Sequence, residues 1–248
     1  MTTRLTIFAA PLLFAGVALS ATIQTAVDQS PSLLVPGPNS SALQSSFLGG
    51  LSSSQTIDFE SLSTGVVTNF SPLSGVTVAL TNVTGSFDSI TNSSDQFLGF
   101  NTTPAGSNFL SLEIDETLPA PQPDLVAHFH FATPISAFGF YLTGAGTGAG
   151  HAQLEFTDGN GLNTYPLTST DQYPESSVIY VAVTGLNGSI QDFYFRMIAD
   201  LDIDNNLTIG DIVGIDDVTF QADAASTPEP STILLAAAGG LALWLRRR

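Results

Sequence analysis

Cysteine is absent from this chain of 248 residues. That excludes a disulfide framework, thiolate metal ligands and a cysteine nucleophile. Lysine is absent too, and the only bases are Arg4, Arg196, Arg246, Arg247 and Arg248. Four of these lie at the two ends. The segment from Ala21 to Thr227 therefore carries one base, Arg196, against 21 of the 22 acids. A surface this acidic repels phosphate, so nucleic acid is excluded as a partner, because its binding needs clustered Lys and Arg. The same charge keeps the chain soluble and attracts cations such as calcium. No internal repeat is present, which excludes a propeller or solenoid. Neither a G-x-S-x-G elbow nor an H-E-x-x-H pair occurs. Carboxylate pairs of the glycosidase kind carry no weight in a chain so rich in acids. The chain is read as non-enzymatic, with a secreted hydrolase ranked last.

The two ends carry the clearest signals. Arg4 precedes an apolar stretch from Leu5 to Leu19, and Ala18 and Ser20 put small residues where a signal peptidase inspects the chain. Residues 1–20 read as a signal peptide cleaved after Ser20 or Ala21, which makes signal peptidase a partner. The competing reading, an N-terminal anchor, is weakened by the polar, Ser-rich stretch that follows at once. At the other end, Pro228-Glu229-Pro230 precedes the apolar or small residues Thr232 to Leu245 and then Arg246, Arg247 and Arg248. As a single hydrophobic helix this stretch spans about 21 Å, short of the roughly 30 Å of a bilayer core. Trp244 suits the interface and the arginines suit the cytoplasmic side. The stretch has no polar face, unlike an ordinary amphipathic terminal helix.

Those three parts, in that order over residues 226 to 248, resemble the PEP-CTERM family of bacterial sorting signals. The resemblance implies that Pro228, Glu229 and Pro230 are recognised by an exosortase and that the helix holds the protein in the inner membrane. It also implies that the protein then reaches the cell surface or an exopolysaccharide matrix. It gives a destination and leaves the activity of the rest of the chain open.

Between the ends, residues 21–54 are rich in Ser, Pro, Asn and Gln and read as a poorly ordered lead-in, within which Ser41 to Leu51 offers a short helix. From Thr56 the pattern changes. Runs such as TIDFE, GVTVAL, NFLSLEI, LVAHFHF, AFGFYLTG, AQLEFTD, NTYPL, SVIYVAVTG, QDFYFRMI and GIDDVTFQ alternate with Gly, Asn, Ser and Pro clusters. Many alternate apolar and polar residues with period two, as half-buried antiparallel strands do. Residues 55–222 are expected to form an all-β antiparallel β-sandwich of jelly-roll type, with 223–248 as linker and sorting tail. The opening Ile57 to Glu60 and closing Gly214 to Phe220 strands resemble those of galactose-binding-like jelly rolls, common among carbohydrate-binding modules. There the first and last strands lie side by side and their acids hold a structural calcium. The resemblance places Glu60, Asp216 and Asp217 in that role; the plainer reading leaves them at strand ends facing water.

The sharper candidate calcium site, to which those three acids are the alternative, is Asp200, Asp202, Asp204, Asn206 and Asp211. These fall at positions 1, 3, 5, 7 and 12 of a loop with EF-hand or dockerin spacing, which lets alternate side chains share one cation. Asn205 stands where Gly is usual, Asp211 is shorter than the usual Glu, and the flanks read as strands. The plainer reading is an acidic, solvated hairpin loop. His128 and His130 share one face of a strand and have no third ligand nearby in sequence, so they read as a polar face. Gly144 to Gly150 lacks the dinucleotide spacing and reads as a hairpin connection. Two functions follow for the exported domain: a structural or adhesive matrix protein, or an exopolysaccharide-binding module stabilised by calcium.

Overall fold

In the computed structural model the described residues are 21–29, 34–83, 88–94, 99–113, 124–145, 151–167, 177–198 and 212–223. The fold is all-β. Thirteen strands and one helix are seen among these residues: β1 (Thr22–Asp28), α1 (Pro38–Gly50), β2 (Gln55–Ile57), β3 (Gly65–Val66), β4 (Asn69–Leu73), β5 (Val76–Thr81), β6 (Ser89–Thr91), β7 (Phe109–Glu113), β8 (Leu125–Ala145), β9 (His151–Asp158), β10 (Gly161–Pro166), β11 (Ser177–Thr184), β12 (Ile190–Ile198) and β13 (Ile212–Ala222). Every pairing is antiparallel.

Strand β8 organises the molecule. Its 21 residues run through two layers. The first half, Leu125 to Phe131, pairs with β5 on one edge and β12 on the other, giving a front layer β4-β5-β8-β12-β9-β10. The second half, from Ile135, pairs with β11 and β13 and belongs to a back layer β1-β11-β8-β13, continued by β7, β6 and β3. The sequence reads these halves as two runs, LVAHFHF and AFGFYLTG, and Pro134 stands between them. Pro has no N–H to donate, and here it falls where the ladder shifts between its two sets of partners.

Phenylalanines fill the space between the layers. Phe193 of the front layer stacks on Phe138 of the back layer, with centroids 4.4 Å apart and planes at 3°. It also lies 4.6 Å from Phe129 in the stacked arrangement. Phe131 meets Phe220 at 4.8 Å. All of these are buried. The outer face of the back layer is buried as well. Tyr141, Val178, Tyr180 and Ala182 form a second apolar cluster with Phe47 of α1 and Phe100.

The reading of residues 21–54 as a poorly ordered lead-in is corrected by β1 and α1. Strand β1 pairs with β11 along its whole length, from Thr22↔Thr184 to Asp28↔Val178. Its last residue, Asp28, then caps the helix: Asp28 Oδ1 accepts from the Asn39 N–H at 3.0 Å and Oδ2 from the Ser40 N–H at 2.7 Å. A carboxylate at a helix N-terminus satisfies orphan donors and meets the positive end of the dipole. Gly37 is required at this junction, since a Cβ there would lie 2.4 Å from Asp28 Cγ. The folded domain therefore opens near residue 22 instead of 55. The short helix offered over Ser41 to Leu51 is α1, but its packing was not legible because it has no apolar stripe; its buried residues are Ser40 and Phe47.

Candidate functional site

Strand β13 carries an irregularity at its centre. Its register against β8 shifts between Asp216 and Thr219, and Asp217 adopts φ 47°. In a regular strand neighbouring side chains point to opposite faces. A bulge with one left-handed residue re-aims them, and here both carboxylates reach the same loop. Asp216 Oδ2 accepts from the Thr102 N–H at 2.6 Å, the Thr102 hydroxyl at 3.0 Å and the Thr103 N–H at 3.2 Å. Asp217 Oδ1 accepts from the Thr103 hydroxyl at 2.6 Å. On its outer edge β13 pairs with β7 up to Ile215 and with β2 from Val218. The Thr102–Thr103 backbone fills the gap that the bulge leaves between them.

Glu60 joins the same loop from the other side. Residues 58–60 leave strand geometry, with Phe59 at φ 58° and buried in the core. Glu60 Oε1 accepts from Asn101 Nδ2 at 2.8 Å, the Ser107 N–H at 2.8 Å and the Asn108 N–H at 2.9 Å. Gly106 lies against this carboxylate, and a Cβ there would sit 2.3 Å from that oxygen and oblige Glu60 to shift. Three of the four non-glycine residues with positive φ among those described, Phe59, Ala105 and Asp217, belong to this one region. Backbone strain so concentrated costs about 1–3 kcal/mol per residue and gathers where function fixes the geometry.

The electrostatics are unbalanced. Asp216 is fully buried and Asp217 nearly so, and among the described residues no base pairs with either. Burial first, and then repulsion from Asp217, pushes the Asp216 carboxyl up to about 7. Burial likewise raises Asp217; hydrogen bonds from Thr103 and Thr102 pull it back, and repulsion from Asp58 and Glu60 adds to the rise. Among the described residues Asp216 Oδ1 has no hydrogen-bond partner, although buried polar atoms are nearly always satisfied. The plainer expectation that these acids face water is therefore corrected for Asp216 and Asp217. The donors are the hard oxygens that calcium takes, but the Glu60, Asp216 and Asp217 carboxylates do not all lie within 4.8 Å of one another, so a shared cation would have to draw them together. The sequence missed Asp58, Thr102, Thr103 and the 101–108 loop, which no spacing rule links to β13.

The loop of Asp200, Asp202, Asp204, Asn206 and Asp211 lies outside the described residues. So do the signal peptide (1–20) and the sorting residues Pro228, Glu229, Pro230, Arg246, Arg247 and Arg248. Among the described residues no helix is long and apolar enough to cross a membrane. Gly144 belongs to β8, buried against Gly99. His128 and His130 share the outer face of the front layer, where β12 adds a partner remote in sequence, Asp192.

No curated protein matches the chain in sequence. Loosely similar solved structures include the K2 adhesin domain of Lys-gingipain, with TM-score 0.42 and 16% identity over 69% of this chain and 99% of that one. The K1 adhesin domain of Lys-gingipain from Porphyromonas gingivalis gives 0.40 and 9% over 69% and 99%. The family 29 carbohydrate-binding module CBM29-2 gives 0.34 and 10% over 72% and 97%. These likenesses are loose, and what those proteins bind does not carry over through them. The sequence match is specific and local: residues 226–248 match the PEP-CTERM protein-sorting motif, and the chain is an exported protein that carries this signal.

Proposed function

We propose that this chain is a non-enzymatic structural or adhesive protein of the bacterial surface. The general secretory route exports it, signal peptidase removes residues 1–20, the C-terminal helix holds it in the inner membrane, and an exosortase recognises Pro228-Glu229-Pro230. The protein is then left at the cell surface or in the exopolysaccharide matrix. The observation that carries this reading is the sorting motif at residues 226–248. A doubly covered core supports it, because a matrix protein without disulfides depends on packing for durability. The alternative, an exopolysaccharide-binding module, needs exposed rings on which sugars stack. Among the described residues the exposed large apolar side chains are Leu34, Val35, Leu48, Val66 and Leu162, with no aromatic. Fractionation of producing cells tests the destination: replacing Pro228-Glu229-Pro230 by Ala-Ala-Ala should strand the protein in the inner membrane. Unchanged surface delivery would refute the proposal. Retention of the purified chain on exopolysaccharide at millimolar competing sugar would favour the binding module.

We also propose that calcium stabilises the domain at Glu60, Asp216 and Asp217, with Asp200, Asp202, Asp204, Asn206 and Asp211 as a second candidate loop. The orphaned Asp216 oxygen supports the first site. A cation bound only by the folded state adds about 2.7 kcal/mol at one hundred times its dissociation constant. Thermal unfolding of the full chain with excess calcium and with EDTA measures this. A gain abolished by Asp216→Asn assigns the β13 site, and a gain abolished by Asp202→Ala with Asp204→Ala assigns the loop. Equal melting in calcium and EDTA would sink both.

A further inference from the structure

The outer face of the front layer carries a second constellation, of different chemistry. His128 and His130 lie two residues apart on β8, and so on one face. The register sets Asp192 of β12 opposite His130, and Tyr194 opposite His128. All three side chains converge. His128 Nε2–H donates to Asp192 Oδ1 at 2.7 Å, and His130 Nδ1–H donates to the same oxygen at 2.8 Å. Among the described residues this is the one set of three His, Asp or Glu side chains whose ligand atoms all lie within 4.8 Å of one another.

Several features separate this cluster from an ordinary polar strand face. One carboxylate oxygen serves two imidazoles through different ring nitrogens, a geometry set by three positions on two rigid central strands. The His128 ring is held in place by stacking on Tyr194, with centroids 4.4 Å apart and planes at 15°. Burial raises the Asp192 carboxyl, but the hydrogen bonds from His128 and His130 outweigh it and hold the group below the usual carboxylate range. The nearest base on this face, Arg196, is committed to Asp124 and Glu155 at 3.1 Å each. The cluster therefore lies in a strongly acidic protein without a competing cation of its own.

We propose that His128, His130 and Asp192 form a divalent transition-metal site of the zinc class, with three protein ligands and a fourth position open to solvent. Two imidazole nitrogens and one carboxylate oxygen are borderline donors. They suit zinc, cobalt, nickel or copper, whereas calcium takes oxygen alone. Tetrahedral coordination at about 2.0–2.2 Å separates ligand atoms by about 3.3 Å. Asp192 Oδ1 must therefore retreat by about 0.5 Å from each imidazole, a shift within the reach of a half-exposed side chain. The open position faces outward, so a bound metal can take a ligand from the surroundings, such as an imidazole or carboxylate of a second protein. The site is chemically and spatially distinct from the acids of β13.

The test is a calorimetric titration of the full chain with zinc chloride in saturating calcium, so that oxygen-only sites are filled. One zinc per chain at micromolar affinity is expected, and cobalt in its place should give the intense visible absorption of tetrahedral coordination. His130→Gln and Asp192→Asn should each weaken zinc binding at least tenfold while leaving the calcium response intact. His130 is nearly half exposed, so its replacement spares the core, and melting of the metal-free variant within a few degrees of the parent verifies that. Absence of zinc binding, or binding that survives both substitutions, would overturn the proposal.

Discussion

The two layers meet the same core and differ on their outer faces. In the front layer β12 alternates, with Phe193, Phe195 and Met197 buried and Asp192, Tyr194, Arg196 and Ile198 partly open. In the back layer β11 is buried at seven consecutive positions, Ser177 to Val183. The cause is α1, whose Phe47 lies 6.1 Å from Tyr180, centroid to centroid. An uncovered sheet keeps the period-two pattern of sequence, and a covered one loses it. The chemistry divides in the same way. The front face displays polar groups to solvent and can take a borderline metal. The back layer internalises its acids on β13, where desolvation makes them costly and a hard cation would relieve them.

The largest expected effect tests the core that both layers share. Phe193→Ala removes the ring that stacks on Phe129 and Phe138, and a buried Phe→Ala change costs about 3–5 kcal/mol. Denaturant unfolding should show that loss; a small loss would mean that the layers are held together elsewhere.

The acids of the back layer come next. The folded-state pKa of Asp216 is raised to about 7. The Asp216 contribution to metal-free stability should therefore be greatest below the ordinary carboxylate value and fall as pH rises toward 7, by on the order of a few kcal/mol. Asp216→Asn should flatten that decline in EDTA, as read by melting point against pH. A decline that persists would place its origin in other acids.

Asp28 tests what covers the back layer. Burial raises its carboxyl, yet the hydrogen bonds from Ser40 and Asn39 hold it below its usual value. Its contribution is thus present above the ordinary carboxylate pKa and lost as pH falls through the lowered one. Asp28→Ala should cost about 1–2 kcal/mol at neutral pH, as a lost cap does. Hydrogen exchange should show α1 opening before the strands.

The last two changes are smaller. The Tyr180 hydroxyl is buried without a partner among the described residues, so Tyr180→Phe should leave stability unchanged or raise it by about 1 kcal/mol. A loss would show that the hydroxyl matters to the α1 contact. On the open front face, Arg196→Gln breaks partly exposed ion pairs to Asp124 and Glu155. It should cost no more than about 1 kcal/mol, and less in high salt. A larger cost would erase the contrast between an open and a covered face.

Alternation made β5, β9 and β12 legible, because each buries one side only, whereas β7 was read as a strand from NFLSLEI and is buried at four consecutive positions. The continuous run SVIYVAVTG was also read as a strand, but its length of apolar sequence could not say what covers its second face. Strands β1, β3, β4 and β6 were not read. They are short or polar, and they exist because a neighbour offers a ladder. Glu60, Asp216 and Asp217 were read as related through a resemblance of end strands. The burial of Asp216 and Asp217, the bulge at Asp217 and the donors Thr102 and Thr103 were not readable, since a loop more than a hundred residues away from β13 supplies those donors. Asp192 was missed as the partner of His128 and His130 for the same reason.

By itself, the sequence determined the all-β class, the acidic and cysteine-free surface, and the sorting tail. Those follow from composition and from residues adjacent in the chain. The tertiary structure decided which faces are covered, that β8 threads both layers, and that the carboxylates of β13 are buried while the His128–His130–Asp192 cluster is open to water. Those depend on strand register and on contacts between distant segments, and no local period in the sequence encodes them.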